Sequence, residues 1–240
     1  MLASTIEEAS FMSLAASLRE AQEPLYQAIR RHPFVEGLAA GTLPPAAAIF
    51  YVQQDVQYLA TYARMFAVAM SQAQDLGQMK RLADHMTVLL EGELLPHQCL
   101  CRAARVSYED LTRDAVPVAP AAHHYAQHMW ATGSRGILAQ TIAAILPCHW
   151  VYVDLGRDLA QEVKPDADHP FRDWIAFYAK SSMRTALEDL CDLLEESSGA
   201  RCDSGIAQAF EISFAMEYRF FEMAWHQTGW RSFERVEGTL

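Results

Sequence analysis

Residues 44–72, PPAAAIFYVQQDVQYLATYARMFAVAMSQ, decide the fold class. Two prolines open the segment, where a first helical turn has no use for the N–H they lack. No further proline or glycine interrupts it. At 3.6 residues per turn, Tyr51, Asp55, Tyr58 and Tyr62 fall on one face, beside an apolar stripe of Val52, Val56, Leu59, Ala63, Phe66 and Met70. The alternation of a half-buried strand is absent. The segment is a long helix with a core-facing stripe and an unusual neighbour to it, a carboxylate framed by tyrosines.

The same spacing recurs outward in both directions. It predicts helices over 5–31, 44–72, 75–104, 120–132, 134–163, 168–179, 181–198 and 203–227. His32-Pro33-Phe34, Gly41-Thr42-Leu43 and Asp166-Ala167-Asp168-His169-Pro170 read as connections, and Pro24, Pro96 and Pro147 as kinks inside helical patterns. No strand of convincing length, internal repeat or composition shift interrupts the pattern. The expectation is one all-α domain over 1–240, with the polar stretch 231–240 loosely held.

Composition narrows the function. The 240 residues are 51% hydrophobic, enough for one large core. Lys and Arg total 19 against 30 Asp and Glu. No basic face is available to displace counterions from phosphates, which argues against nucleic acid as a partner. No apolar run approaches the roughly 20 residues that cross a bilayer, and the acidic N-terminus lacks an export pattern. Five irregularly spaced cysteines suit free thiols in a reducing compartment, so a cytoplasmic protein is expected. A phosphate loop, GxGxxG, HExxH, paired CxxC and GxSxG are all missing. Neither a nucleotide cofactor nor a metal is implied.

Two further helical faces carry chemistry. On 203–227, Glu217 shares its face with Phe210, Ser213, Phe214, Phe220, Phe221 and Ala224, while Glu211, Arg219 and Glu222 gather opposite. Burial disfavours a carboxylate, so Glu217 is expected to be held protonated, as a general acid requires, unless a buried partner holds it as a structural acid. On 134–163, Cys148 follows Pro147 and lies one turn from Tyr152, with Thr141, Ile145 and Leu155 on the same side. A cysteine there is either an inert small core residue or a nucleophile. His123, His124 and His128 read as a solvated helix face.

Taken in order, these residues resemble the TenA/thiaminase II (TENA/THI-4) family. The resemblance rests on His32-Pro33-Phe34, Gly41-Thr42-Leu43-Pro44, Phe50-Tyr51, Gln54-Asp55 and Tyr58-Leu59. His85, Glu91, Glu93 and His97 follow, then Leu146-Pro147-Cys148-His149-Trp150 with Tyr152 and Gly156. His169-Pro170, Trp174-Ile175, Tyr178, and Glu217-Tyr218 with Phe220 and Met223-Ala224 complete it, from about residue 30 to 230. His149 departs from the pattern where an aromatic is common, as does Ala179-Lys180 after Tyr178.

The resemblance implies a haem-oxygenase-like multi-helix bundle, assembled as a homotetramer, that hydrolyses aminopyrimidines or thiamin to hydroxymethylpyrimidine for thiamin salvage. By position it makes Cys148 the nucleophile and Glu217 the catalytic acid. Asp55 becomes the carboxylate that binds the pyrimidine's amidine-like edge, and Tyr58, Tyr125, Tyr152 and Tyr178 become pocket tyrosines. The partner implied is a small aminopyrimidine or thiamin. Two alternatives stand beside it. One is an oxidase or oxygenase of the same fold, for which Glu93 and His97 at i, i+4, with His85 and Glu91 near, offer metal-ligand types. The other is a non-catalytic, pyrimidine-binding regulatory protein.

Overall fold

A computed structural model describes residues 12–92, 94–114 and 116–230. Among them twelve helices and no strand occur: α1 (Leu14–Ala21), α2 (Glu23–Arg30), α3 (Pro33–Ala40), α4 (Pro45–Gln72), α5 (Leu76–Gly92), α6 (Leu94–Ala103), α7 (Tyr108–Arg113), α8 (Pro120–Gly133), α9 (Leu138–Val163), α10 (Arg172–Tyr178), α11 (Ser181–Ser198) and α12 (Ser204–His226). The expected tail over 231–240 and the start of the first predicted helix lie outside the described residues.

The long helices stand as predicted, and the differences fall at prolines and short turns. The helix expected over 5–31 breaks at Gln22, because Pro24 suits the first turn of a new helix better than the middle of an old one. Likewise 75–104 divides into α5 and α6, the break preceding Pro96. His32-Pro33-Phe34 begins α3 instead of forming a mere connection; the His32 ring accepts from the Phe34 N–H as an N-cap. Gly41 ends α3 at φ 70°, with Pro170 against it. α7, capped by Ser107, was not expected from the apolar pattern and buries no residue.

Helix α9 is the axis of the molecule, packed by α4, α8, α10, α11 and α12. It has the length and apolarity of a membrane span, contrary to the sequence expectation, but 83% of that window is buried inside the protein. Pro147 sits within it without ending it. A proline there removes one N–H and crowds the preceding turn. Neighbouring hydroxyls reach that turn: Ser213 donates to the Ala144 carbonyl at 2.6 Å and Tyr62 to the Ile145 carbonyl at 3.1 Å. The backbone just before Cys148 is thereby tied to α4 and α12.

On α4 the core face is wider than the apolar stripe, whose Val52 and Phe66 are buried as expected. Tyr51, Asp55, Tyr58 and Tyr62 are all buried, whereas Val56, Leu59, Ala63 and Met70 of the aliphatic stripe are only half-buried. Tyrosine brings more apolar area than valine, and its hydroxyl can be satisfied inside. The mixed face therefore turns inward, and part of the apolar stripe is left half-buried at its edge.

Candidate active site

Helices α4 and α9 run antiparallel, since Tyr51 contacts Tyr152 through their hydroxyls while Tyr62, about three turns further along α4, bonds Ile145, about two turns back along α9. Between them lies a pocket with about 40 Å³ of free space, room for a few water molecules. Its α4 wall carries Tyr51, Asp55, Leu59, Tyr62 and Phe66, and its α9 wall Cys148, His149 and Tyr152; α10 adds Phe177 and Tyr178, and α5 adds His85.

Of the expected site residues, Asp55, Cys148, Tyr152 and Tyr178 line this pocket. Glu217, Tyr58 and Tyr125 do not; they form the layer behind it. Tyr125 donates to Glu217 Oε1 at 2.6 Å, and the Tyr58 ring lies 4.8 Å from that of Tyr125. The tyrosines predicted as pocket lining thus divide between wall and backing. The reason is register: Tyr58 points from α4 toward α8 and α12, where Phe220 and Met129 meet it.

Glu217 nevertheless reaches the pocket through sulfur. It is 2% exposed, and burial pushes its carboxyl up to about 8. Hydrogen bonds from Tyr125 and Cys148 pull that value back in part, while the charge of Asp55 adds to the rise. At neutral pH the group is mostly protonated. The Cys148 thiol, on the wall, therefore acts on the Glu217 carboxyl behind it, a proximity that α9 and α12 achieve by packing against each other along their length.

Asp55 is fixed from the other side, its Oδ2 lying 2.7 Å from His97 Nε2, both side chains buried. The sequence reading placed His97 in the family pattern but gave it no role beside Asp55; no spacing links α6 to α4, so only the fold could. Glu93 and the side chain of Glu91, offered with it as metal-ligand types, lie outside the described residues. Gly156 allows α10 to approach α9, because a Cβ there would lie 2.5 Å from the Tyr178 carbonyl carbon. That contact brings Tyr178 to the pocket and within 5.0 Å, centroid to centroid, of Tyr152.

Two histidines also missed as site residues complete the pocket. Burial pulls His149 down to about 4, so it is neutral, and its Nε2 donates to the Met183 carbonyl at 2.8 Å. His85 stacks on Phe66 and bonds Asp189. The triplet on α8 divides: His123 and His124 are exposed, and His128 donates to the Ala209 carbonyl at 3.1 Å.

Chemically, the pocket offers a thiol beside a protonated carboxyl, a carboxylate on the facing α4 wall, and flat aromatic walls. This set suits a planar, nitrogen-rich ring that is attacked and protonated at once.

The chain is similar to known proteins in both sequence and fold. Residues 19–227 match the model of the TENA/THI-4/PQQC family. A relative from Halalkalibacterium halodurans, named aminopyrimidine aminohydrolase, is 31% identical over 91% of this chain and 98% of its own. Among solved structures, a TenA family transcription regulator from Silicibacter superposes with a TM-score of 0.76 at 27% identity, covering 88% of this chain and 96% of that one. A Shewanella denitrificans domain described as having a heme oxygenase-like fold superposes at 0.67 with 15% identity, over 95% of this chain and 97% of that one.

Proposed function

The chain belongs to the TENA/THI-4/PQQC family, and from that premise we propose that it is an aminopyrimidine aminohydrolase of the thiaminase II type. The observation that carries the proposal is the closeness of Cys148 on the pocket wall to the carboxyl of Glu217, which burial holds protonated behind it, with Asp55 in the same pocket.

A 4-aminopyrimidine bearing an aminomethyl arm enters between the aromatic walls. Asp55, held by His97, accepts from the exocyclic amino group and fixes the ring's orientation. Glu217 gives its proton to a ring nitrogen, which makes the adjacent ring carbon electrophilic. Cys148 sulfur bonds to that carbon, and the thiol proton leaves with the departing amine as the arm's C–N bond breaks. Water then adds its hydroxyl to the resulting methylene. As the carbon–sulfur bond breaks, the thiol regains a proton from that water and Glu217 recovers its own from the ring. The sum is R–CH₂–NH₂ + H₂O → R–CH₂–OH + NH₃.

Tyr152 and Tyr178 close the pocket around the ring, and Tyr125 with Tyr58 keeps Glu217 dry, which sustains its raised pKa. The remaining expectations belong to the same proposal. The absence of a disulfide at Cys99, Cys101, Cys148, Cys191 and Cys202 supports a cytoplasmic setting. Exposed Leu76, Val88, Leu90, Leu94 and Leu95 on α5 and α6 support a homotetramer. Salvage of degraded thiamin is the role in which this hydrolysis is used.

The test is incubation of the purified chain with 4-amino-5-aminomethyl-2-methylpyrimidine, following hydroxymethylpyrimidine by chromatography and ammonia by a coupled assay. Equimolar appearance of both supports the proposal; binding without either product rejects it.

A further inference from the structure

The pocket extends well past the groups that the hydrolysis uses. Asp55 and Phe66 are separated by about 16 Å along the α4 axis at 1.5 Å per residue, and both line the same pocket. Cys148 lies nearer the Asp55 end, one turn from Tyr152 on α9. The far end is closed by His85, whose ring stacks on Phe66 at 5.8 Å and 13°, and His149 lines the same pocket from α9.

Both imidazoles have a fixed tautomer. His149 Nε2 faces the Met183 carbonyl, which can only accept, so that nitrogen carries the proton. His85 Nε2 lies 2.8 Å from Asp189 Oδ2 and donates to it. Asp189 is itself held: Arg81 Nε donates to its Oδ1 at 2.8 Å, and Arg81 Nη1 reaches both oxygens of Glu196 at 2.8 Å. Burial lowers the pKa of each histidine. Each therefore keeps a lone pair on Nδ1, with Val88, Leu89 and Phe177 around them supplying no donor. A clamp between α5 and α11 needs only Arg81 and Asp189; it does not explain a histidine, 8% exposed, on the pocket wall.

We propose that His85 binds the leaving-group end of the substrate, with Asp189 as its positioning residue, and selects departing amines whose arm ends in a hydrogen-bond donor. This rests on the aminohydrolase reading above. A ring gripped by Asp55 and attacked by Cys148 leaves the far end free, so bare ammonia falls short of it. A longer arm carrying a terminal hydroxyl or N–H, a few atoms past the methylene, reaches it.

The proposal is tested by calorimetry on the Cys148→Ser protein with two ligands. Both are 4-amino-2-methylpyrimidines with a 5-aminomethyl arm; one carries a 2-hydroxyethyl group on the arm nitrogen, the other a 2-methoxyethyl group. The hydroxyl can donate and the ether cannot, so the first is expected to bind about three- to tenfold tighter, the range of one net hydrogen bond. Adding Asp189→Asn is expected to abolish or reverse that preference, because the amide donates to His85 Nε2 and drives its proton to Nδ1. Thermal melting confirms that the variant is folded. Equal binding of the two ligands before the second substitution, or an unchanged preference after it, overturns the proposal. Turnover by the unmodified chain tests the aminohydrolase reading separately, so either can fail while the other stands.

Discussion

Glu217→Gln is expected to make the fold more stable at alkaline pH while harming its chemistry. The carboxyl titrates near 4.5 when exposed and at about 8 in the fold. A raised folded-state pKa means that the folded chain holds the proton more tightly than the unfolded one. Its stabilising effect is complete below pH 4.5 and lost as pH rises through 8. Between pH 5.5 and 9 that loss amounts to about 3 kcal/mol at 1.36 kcal/mol per pK unit. Glutamine has the same shape, keeps an oxygen for the Tyr125 hydroxyl and carries no charge to desolvate. Urea unfolding of both proteins at half-unit pH steps therefore gives curves that diverge with pH, the variant gaining about 3 kcal/mol relative to the parent by pH 9. A constant offset between the two curves would refute the reasoning, because it would mean that Glu217 is already ionised in the fold at pH 5.5.

Further outcomes follow from the same geometry. The parent's kcat/KM is expected to fall on the alkaline side with a midpoint near 8, the pKa of Glu217, and the Glu217→Gln variant, slow throughout, to lack that limb; a profile flat to pH 9.5 in the parent contradicts this. Asp55→Asn is expected to weaken binding of aminopyrimidine by about 1.5–3 kcal/mol, the worth of a hydrogen bond to a charged group, read by titration of the Cys148→Ser protein; unchanged affinity would remove Asp55 from the ring's edge. Gly156→Ala forces a Cβ to within 2.5 Å of the Tyr178 backbone and is expected to cost about 1–3 kcal/mol in chemical denaturation, with KM raised as Tyr178 shifts. A variant as stable as the parent would mean that α10 is free to move away from α9.

The long helices were legible because their apolar spacing outweighs local detail: 44–72 and 181–198 need no tertiary information to be read. Boundaries failed where proline chemistry allows two outcomes. Pro24 begins a new helix, whereas Pro147 stays inside one because hydroxyls from α4 and α12 occupy the turn ahead of it. In the site, Glu217 among phenylalanines was a readable anomaly, since a lone acid on an apolar face has few explanations. The partnership of His97 with Asp55 and of Asp189 with His85 joins residues 42 and 104 apart in sequence. Helical periodicity assigns residues to faces and cannot say which faces meet. The depth at which the α4 tyrosines are buried was hidden for a related reason, because packing partners decide how far the core face spreads around a helix.

The central claim is that the sulfur of Cys148 and the proton of Glu217 act on one ring in one event. Single-turnover rates for Cys148→Ser, Glu217→Gln and the double variant test it most directly, because groups that work as a unit lose their contribution together. The expected result is a loss of about a thousandfold or more in Cys148→Ser, with the double variant no slower than the slower single one. Near-parental turnover in Cys148→Ser, or losses that multiply in the double variant, would contradict the account.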